Sequence, residues 1–252
     1  MAGGNKRLLS KSSAVSIAIG VLLVSVMTLI GTSAFLRVVH FEVSGSNVYT
    51  TKEIIDASGI SIGDNLMTVN ARNVSRHIRQ ALPFVKEAQI SRKLPDTVLI
   101  EVNESVAIAS IKYNRETLIL DSSGRVLMRL DEDPGGLIEI RGLEVSDAVE
   151  GNVLKPVLGS ETNLQYMQDI LAAIENEGLE SDVSYLDVSN ITNLCFGYRN
   201  IYRVVLGGIR DLKYKIEDLR TTVEKLELRS PNTPGDINMS DPTEDYKFTP
   251  HR

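Results

Sequence analysis

The chain contains one long stretch without a charged side chain, the 25 residues from Ser12 to Leu36. A helix rises about 1.5 Å per residue, so this run reaches about 37 Å, which exceeds the roughly 30 Å of a bilayer's hydrocarbon core. More than two hundred residues follow it. The run therefore predicts a single transmembrane helix, over residues 13–36, that carries a large folded body.

The charges beside the run predict its orientation. Three basic residues and no acidic residue precede it, namely Lys6, Arg7 and Lys11, whereas Arg37 alone follows closely. Because a basic excess stays on the cytoplasmic side, residues 1–12 are expected inside the cell and the body outside the cytoplasm.

A cleavable signal peptide is the alternative interpretation of the run. Thr32, Ser33 and Ala34 are small enough to resemble a cleavage site. The apolar core of a signal peptide is, however, only about 7–15 residues long, and this run is much longer. The length favours an anchor that is retained.

The composition limits what the body can bind. The chain has a net charge of −6, and its first dozen residues are basic, so the remainder is strongly acidic and is not expected to bind nucleic acid. Its one cysteine, Cys195, excludes an intrachain disulfide. Cys195 lies between Leu194 and Phe196, and this apolar setting favours a buried, unreactive thiol.

The first part of the body, residues 38–103, has the pattern of a compact α+β layer. Apolar and polar residues alternate around Phe41 and again around Ile100, as in half-buried strands. Thr50 and Glu53 have the spacing of a capping box that begins a helix, and a second helix precedes Pro83. The predicted order is strand, helix, helix, strand, strand, with both helices on one face of the sheet.

The second part, residues 104–240, is predicted to be a mixed α/β domain with a long helix near its C-terminus. Its expected elements are a hairpin around 118–128, a helix at 161–177, strands at 183–188, 194–198 and 202–206, a helix at 208–228 and a short strand at 236–240. Residues 241–252 are expected to form a loose tail.

The predicted helix at 208–228 has apolar residues at alternating spacings of three and four. Such a seam is typical of a coiled-coil strand, and equally of a helix that lies on its own sheet. The helix directly follows three strands that need a cover, which favours the intramolecular interpretation.

Signatures of catalysis are missing from the sequence. The three histidines, His40, His77 and His251, have no metal-ligand spacing, and none of the common nucleophile, zinc or phosphate-loop motifs occurs. The acidic loop at 131–136 lacks the ligand spacing of a calcium loop. We therefore expect no catalytic residue, no cofactor and no metal site.

Ten short segments in a fixed order carry a resemblance to a known family. Six lie in the first part, which are Phe41–Gly45, Thr51–Ile55, Gly63–Leu66, Leu82–Val85, Arg92–Pro95 and Ile100–Glu104. Four lie in the second part, which are Ile119–Val126, Val204–Gly207, Lys215–Ile216 and Asp236–Ser240. On these segments the chain resembles the FtsQ/DivIB family of bacterial cell-division proteins, the first part its POTRA domain and the second part its β domain. Residues 137–155 match no motif of the family.

The resemblance implies a divisome scaffold without enzymatic activity, held at the septum by a single-pass type II anchor. It further implies partners of the FtsL and FtsB (DivIC) type and a role in controlling septal peptidoglycan synthesis, with the septal peptidoglycan transpeptidase as a further candidate partner. In this family the partner adds to the sheet beside the last strand of the β domain and packs near the preceding long helix. By position, the implied contacts here are the helix at 208–228 and the strand residues Asp236, Ile237, Asn238, Met239 and Ser240.

Three alternatives stay open at this point. The edge at residues 236–240 is simply shielded by the tail, or the chain is a membrane-anchored exported hydrolase that uses unmarked carboxylates, or it is a POTRA-type protein-transport module. The third alternative is disfavoured because the chain shows no series of alternating segments of about ten residues, as a membrane barrel would need.

Overall fold

A computed structural model describes residues 15–25, 27, 36–241 and 246–251 of the chain. Residues 15–25 are helical, here called α1, and their apolar side chains are exposed. Within the described residues, no helix combines the length and the apolar character that crossing a membrane requires. The cytoplasmic tail predicted at residues 1–12 and much of the span predicted at 13–36 lie outside the described residues.

Two compact units make up the chain. The first comprises residues 1–78 and 87–102, and the second comprises 79–86 and 103–252. The domain limits at 38–103 and 104–240 that the sequence suggests stay predictions.

The first unit follows the order that the sequence predicts. Its elements are β1 (His40–Ser44), α2 (Thr51–Ser58), α3 (Ala71–Ala81), β2 (Val85–Lys93) and β3 (Thr97–Glu104). The three strands form one sheet in the order β1-β3-β2, in which β1 and β3 are parallel.

Local sequence signals explain these elements. The capping box is confirmed, because Thr50 Oγ1 accepts a hydrogen bond from the Glu53 amide at 3.3 Å and Glu53 Oε2 accepts one from the Thr50 amide at 2.8 Å. The alternation in β3 places Val98, Ile100 and Val102 in the core. These buried side chains hold the helices against the sheet.

The second unit is built on one large sheet. Its strands are β4 (Ala109–Tyr113), β5 (Glu116–Leu120), β6 (Val126–Leu130), β7 (Ile138–Arg141), β10 (Val183–Asp187), β11 (Leu194–Tyr198), β12 (Tyr202–Gly207), β13 (Gly235–Asn238) and β14 (Lys247–Pro250). They lie in the order β14-β13-β12-β11-β10-β7-β4-β5-β6, and β8 (Val145–Asp147) pairs separately with β9 (Lys155–Pro156).

Two helices contribute to the core of this unit, α4 (Glu161–Asn176) and α5 (Leu212–Arg229). Ile216, Leu219 and Val223 of α5 are buried in the same apolar core as the strands. The seam of α5 therefore lies on its own sheet, which confirms the intramolecular interpretation.

The structure corrects three boundaries near the C-terminus. The long helix begins at Leu212 rather than at residue 208, because Gly207 and Asp211 have positive φ angles of 68° and 56° that interrupt a helix. The strand expected at 236–240 is Gly235–Asn238. The tail expected to be loose at 241–252 contains β14, which pairs antiparallel with β13.

Candidate partner-binding edge of the sheet

The candidate site is the end of the large sheet formed by β12, β13 and β14. Helix α5 connects β12 to β13, so these two strands are parallel, with Val204 opposite Ile237. Strand β14 returns antiparallel on the other side of β13, with Phe248 opposite Ile237. Within the described residues, β14 is therefore the outermost strand at this end of the sheet.

Two of the five predicted contact residues support the fold instead of facing outward. Ile237 and Met239 are 1% and 0% exposed, and both belong to the core of the second unit. The Met239 amide donates to the Val205 carbonyl at 2.8 Å. This amide is thus engaged by β12 and is not available to an added strand.

The other three predicted residues are polar and lie nearer the surface. Asp236 is placed between two basic side chains, since its Oδ2 lies 3.3 Å from Arg203 Nη1 and its Oδ1 lies 2.8 Å from His251 Nε2. Asn238 Oδ1 accepts hydrogen bonds from the Ser240 amide at 2.9 Å and from its hydroxyl at 2.7 Å. The Asn238 side chain therefore fixes the turn that ends β13.

Strand β14 is seated on β13 by more than backbone pairing. The Phe248 ring meets the Tyr202 ring edge-on, with centroids 6.3 Å apart and planes at 78°. At Gly235 there is no room for a side chain, because an added Cβ would lie 2.5 Å from Phe248 Cε2 and 2.5 Å from the Thr249 carbonyl oxygen. The His251 amide donates to the Pro234 carbonyl at 2.9 Å and closes the end of the strand.

Tyr246 packs against the core just before β14. Its hydroxyl is buried and has no hydrogen-bond partner among the described residues. Burial, with the nearby Asp218 carboxylate and Tyr214, raises the pKa of the Tyr246 phenol. An unsatisfied buried hydroxyl is costly, so this anchor holds the tail less firmly than its buried area alone implies.

Tyr202 stabilises the edge from beneath. Its side chain is 2% exposed, and its hydroxyl donates to the Glu227 carboxylate on α5. Burial, together with this hydrogen bond, raises the pKa of Tyr202 to about 12. The phenol is therefore protonated at neutral pH and joins β12 to α5.

Lys215, named above only as part of a segment similar to the family, has a role at this site that the sequence did not predict. Its side chain is 1% exposed, and its Nζ donates to the Leu206 carbonyl at 2.7 Å, with the Gly208 and Ser240 carbonyls at 3.4 and 3.5 Å. Burial lowers its pKa. The ammonium thus ties the end of β12 to the end of β13, and only its place beside the buried Ile216 could have signalled this from sequence.

Groups that could do chemistry are scattered in the described part of the chain. No cluster of three or more His, Cys, Asp or Glu side chains there could hold a metal ion. Cys195 is 3% exposed in β11, so the expected burial of this thiol is confirmed. The contacts among β12, β13 and β14 are those of backbone pairing and aromatic packing.

Comparisons with known proteins identify the class. Residues 36–105 match the family model described as the POTRA domain of FtsQ type. The chain is 28% identical to the cell division protein DivIB of Clostridium tetani over 225 residues, which cover 87% of this chain and 82% of that protein. It is 30% identical to the cell division protein FtsQ of Corynebacterium glutamicum over 142 residues, which cover 55% of this chain and 60% of that protein.

The first unit thus carries a POTRA domain of FtsQ type, in a mixed α+β protein. The chain belongs to the FtsQ/DivIB family of cell division proteins. This membership gives it a role in cell division.

Proposed function

We propose that the protein is a non-enzymatic scaffold of the divisome, anchored as a single-pass type II membrane protein with its body outside the cytoplasm at the septum. In this proposal its second unit binds FtsL-like and FtsB/DivIC-like single-span proteins and so helps to control septal peptidoglycan synthesis. The family membership supports the role in cell division, and the arrangement of β12, β13 and β14 supports binding by strand addition.

Strand addition is the mode that this edge suits. An added strand gains its affinity from backbone groups, so it needs a strand whose outer N–H and C=O groups can be reached. The Met239 amide faces β12, and successive residues of a strand alternate sides, so the backbone groups of Asp236 and Asn238 face β14. We infer that the partner strand pairs with β13 at these two residues.

The partner must then take the place of β14. Strand β14 has only four residues, and it carries Lys247 and Pro250, two residue types that natural sheets use to discourage further pairing. It is therefore poorly suited to accept a second strand on its own outer side. The buried hydroxyl of Tyr246, which lacks a hydrogen-bond partner just before β14, lowers the cost of replacing this strand.

The contacts of β14 indicate what the partner segment should contain. A large apolar or aromatic side chain would occupy the position of Phe248 against Tyr202, and a basic side chain would replace His251 beside Asp236. The Phe248 ring and the Thr249 carbonyl lie directly against Gly235 and leave no space for a larger group there. The partner residue that takes the place of Thr249 must therefore have the same backbone orientation.

The direct experiment is to measure binding of the purified full chain in detergent to its FtsB/DivIC-like partner by calorimetry. A variant that ends after Asp241 lacks β14 and should bind more tightly than the wild type. A variant that ends after His251 keeps β14 and both contacts of His251, and serves as the control, with an affinity close to that of the wild type.

Two outcomes of this experiment would contradict the proposal. Unchanged affinity after loss of β14 would place the partner elsewhere, and lost affinity would make β14 part of the docking surface. The identity of the partners is tested separately by capturing the tagged full chain from dividing cells, and recovery without any FtsL-like or FtsB-like protein would refute that part.

A further inference from the structure

Exposed apolar side chains of the first unit cluster at one end. Between residues 36 and 102, five large apolar side chains are exposed. Four of them, Val39, Ile62, Met67 and Leu94, are here called the apolar end surface. Single exposed apolar residues are ordinary, but a cluster of four on separate segments calls for an explanation.

Backbone hydrogen bonds hold two of these segments together. The Leu66 amide donates to the Leu36 carbonyl, and the Val38 amide donates to the Asp64 carbonyl, both at 2.8 Å. In return, the Gly63 amide donates to the Val38 carbonyl at 2.8 Å. The loop that carries Ile62 and Met67 is therefore fixed directly beside residues 36–38.

The third segment is tied to the same place. The amides of Val39 and His40 both donate to the Asp96 carbonyl, at 2.8 and 3.2 Å. Leu94 lies in the turn just before Asp96, so it belongs to this end of the unit. The fifth exposed residue, Val48, follows the far end of β1, and that strand of five residues spans roughly 15 Å.

The exposure of the apolar end surface follows from how its neighbours pack. In the loop, Leu66 and Val69 point into the core, with exposed fractions of 0% and 8%. Ile62, at 74%, and Met67, at 51%, are thereby turned outward by the same backbone. The outward direction is thus a property of the folded loop.

We propose that the apolar end surface rests on the lipid bilayer, with its side chains in the interface between head groups and acyl chains. The argument is one of continuity: Leu36 is the last residue of the uncharged run from Ser12, and its carbonyl is bonded within this surface. If the run spans the membrane, the chain leaves the bilayer at this surface. The inference rests on the anchor in the proposed function, and is independent of partner binding at β13.

Charge contributes little to this contact. Two exposed guanidinium groups lie at this end, since Arg37 Nη1 donates to the Gly63 carbonyl at 3.3 Å and Arg92 Nη2 to the Val69 carbonyl at 2.6 Å, and Asp64 and Asp96 balance them. The two carboxylates accept hydrogen bonds locally, from the Ser61 amide at 2.8 Å and from the Thr97 hydroxyl at 2.9 Å. Lys93 is paired with Glu42 at 2.6 Å. The surface should therefore bind zwitterionic and anionic bilayers alike, as apolar burial requires.

The test uses the full chain in nanodiscs of zwitterionic lipid. Single substitutions Ile62→Cys and Leu94→Cys are labelled with an environment-sensitive fluorophore, and Val48→Cys is the matched control from the opposite end of β1. Native Cys195 is 3% exposed and should not be labelled without unfolding. Interfacial side chains lie about 5–10 Å into the head-group and acyl boundary, so nitroxide lipids labelled near the head group are the quencher.

We expect lipid nitroxide to quench the probes at residues 62 and 94 and to leave the probe at residue 48 unquenched. Equal quenching at all three positions, or none at 62 and 94, would overturn the proposal. A probe at Val24→Cys reports on the anchor separately: if deep nitroxides quench it while 62 and 94 stay in water, the anchor stands and the lipid surface fails. Partner binding by the same samples shows whether the proposed function holds.

Discussion

Substituting Gly235 by alanine should release β14 from the sheet without disturbing the rest of the second unit. The new Cβ would lie 2.5 Å from Phe248 Cε2, 2.7 Å from Phe248 Cζ and 2.5 Å from the Thr249 carbonyl oxygen. The ring can turn away, but the carbonyl belongs to the backbone of β14. The strand must therefore move by about 1 Å to reach ordinary van der Waals contact.

The size of the effect follows from what holds β14 in place. Overpacking of this kind costs about 1–3 kcal/mol. The edge-on contact of Phe248 with Tyr202 contributes about 0.5–1.5 kcal/mol, and the half-exposed pair of His251 with Asp236 less than about 1 kcal/mol. The strain is thus comparable with the main side-chain contacts of the strand, and local opening of β14 should become about 5- to 150-fold more frequent.

Hydrogen exchange followed by mass spectrometry on the full chain measures this opening directly. The amides of residues 236 and 238, and those of 247 and 249, face the pairing of β13 with β14 and should exchange faster by the stated factor, while those of β10 and β11 keep their protection. Gly208→Ala is the control, because a Cβ at that position has no atom within 4 Å. Unchanged exchange in the Gly235→Ala variant would show that β14 is not seated on β13 as described, and would remove the reason to expect tighter partner binding.

Three further predictions concern the two units separately. Gly45→Ala should destabilise the first unit by about 1–3 kcal/mol more than Gly63→Ala, as measured by hydrogen exchange. Both glycines have positive φ angles, but only at Gly45 would an added Cβ strike a backbone carbonyl. Equal losses of stability would contradict this. Lys215→Met should lower the stability of the second unit in urea by about 1–3 kcal/mol, since a buried carbonyl loses its donor, whereas the exposed Lys213→Met should change little; a neutral Lys215→Met would show that the ammonium is dispensable. The pKa of Tyr202 is raised to about 12, so the stability that its protonated hydroxyl contributes is complete below pH 10 and lost towards pH 12. The free energy of unfolding of the wild type relative to Tyr202→Phe should therefore fall over that range by about 2–3 kcal/mol. A difference that does not vary with pH would refute the assignment.

The sequence by itself determined the features that depend on local pattern. The alternation around Ile100, the capping box at Thr50 and the turn at Gly124 each specify an element through residues a few positions apart, and each is found where expected. The same holds for the seam of α5, whose period places Ile216 and Val223 on one face. These patterns involve residues close together in the sequence, so they can be recognised without knowing which other elements pack against them.

The tertiary structure decided how the ends of the strands and helices pack and pair. The C-terminal segment, which the sequence predicts to be a loose tail, forms β14 because its backbone pairs with β13 and Phe248 packs against the Tyr202 ring. Lys215 is buried because three carbonyls from two distant segments, residues 206–208 and Ser240, meet at its Nζ.

The two candidate surfaces also depend on contacts between residues that are distant in the sequence. The predicted contact residues 236–240 divide into core and surface positions only once β12 and β14 lie on either side of them. The apolar end surface joins residues from positions 39, 62, 67 and 94, which no periodicity in the sequence relates. Contacts between distant residues are set by the packing of whole elements, and that is why only the folded chain reveals them.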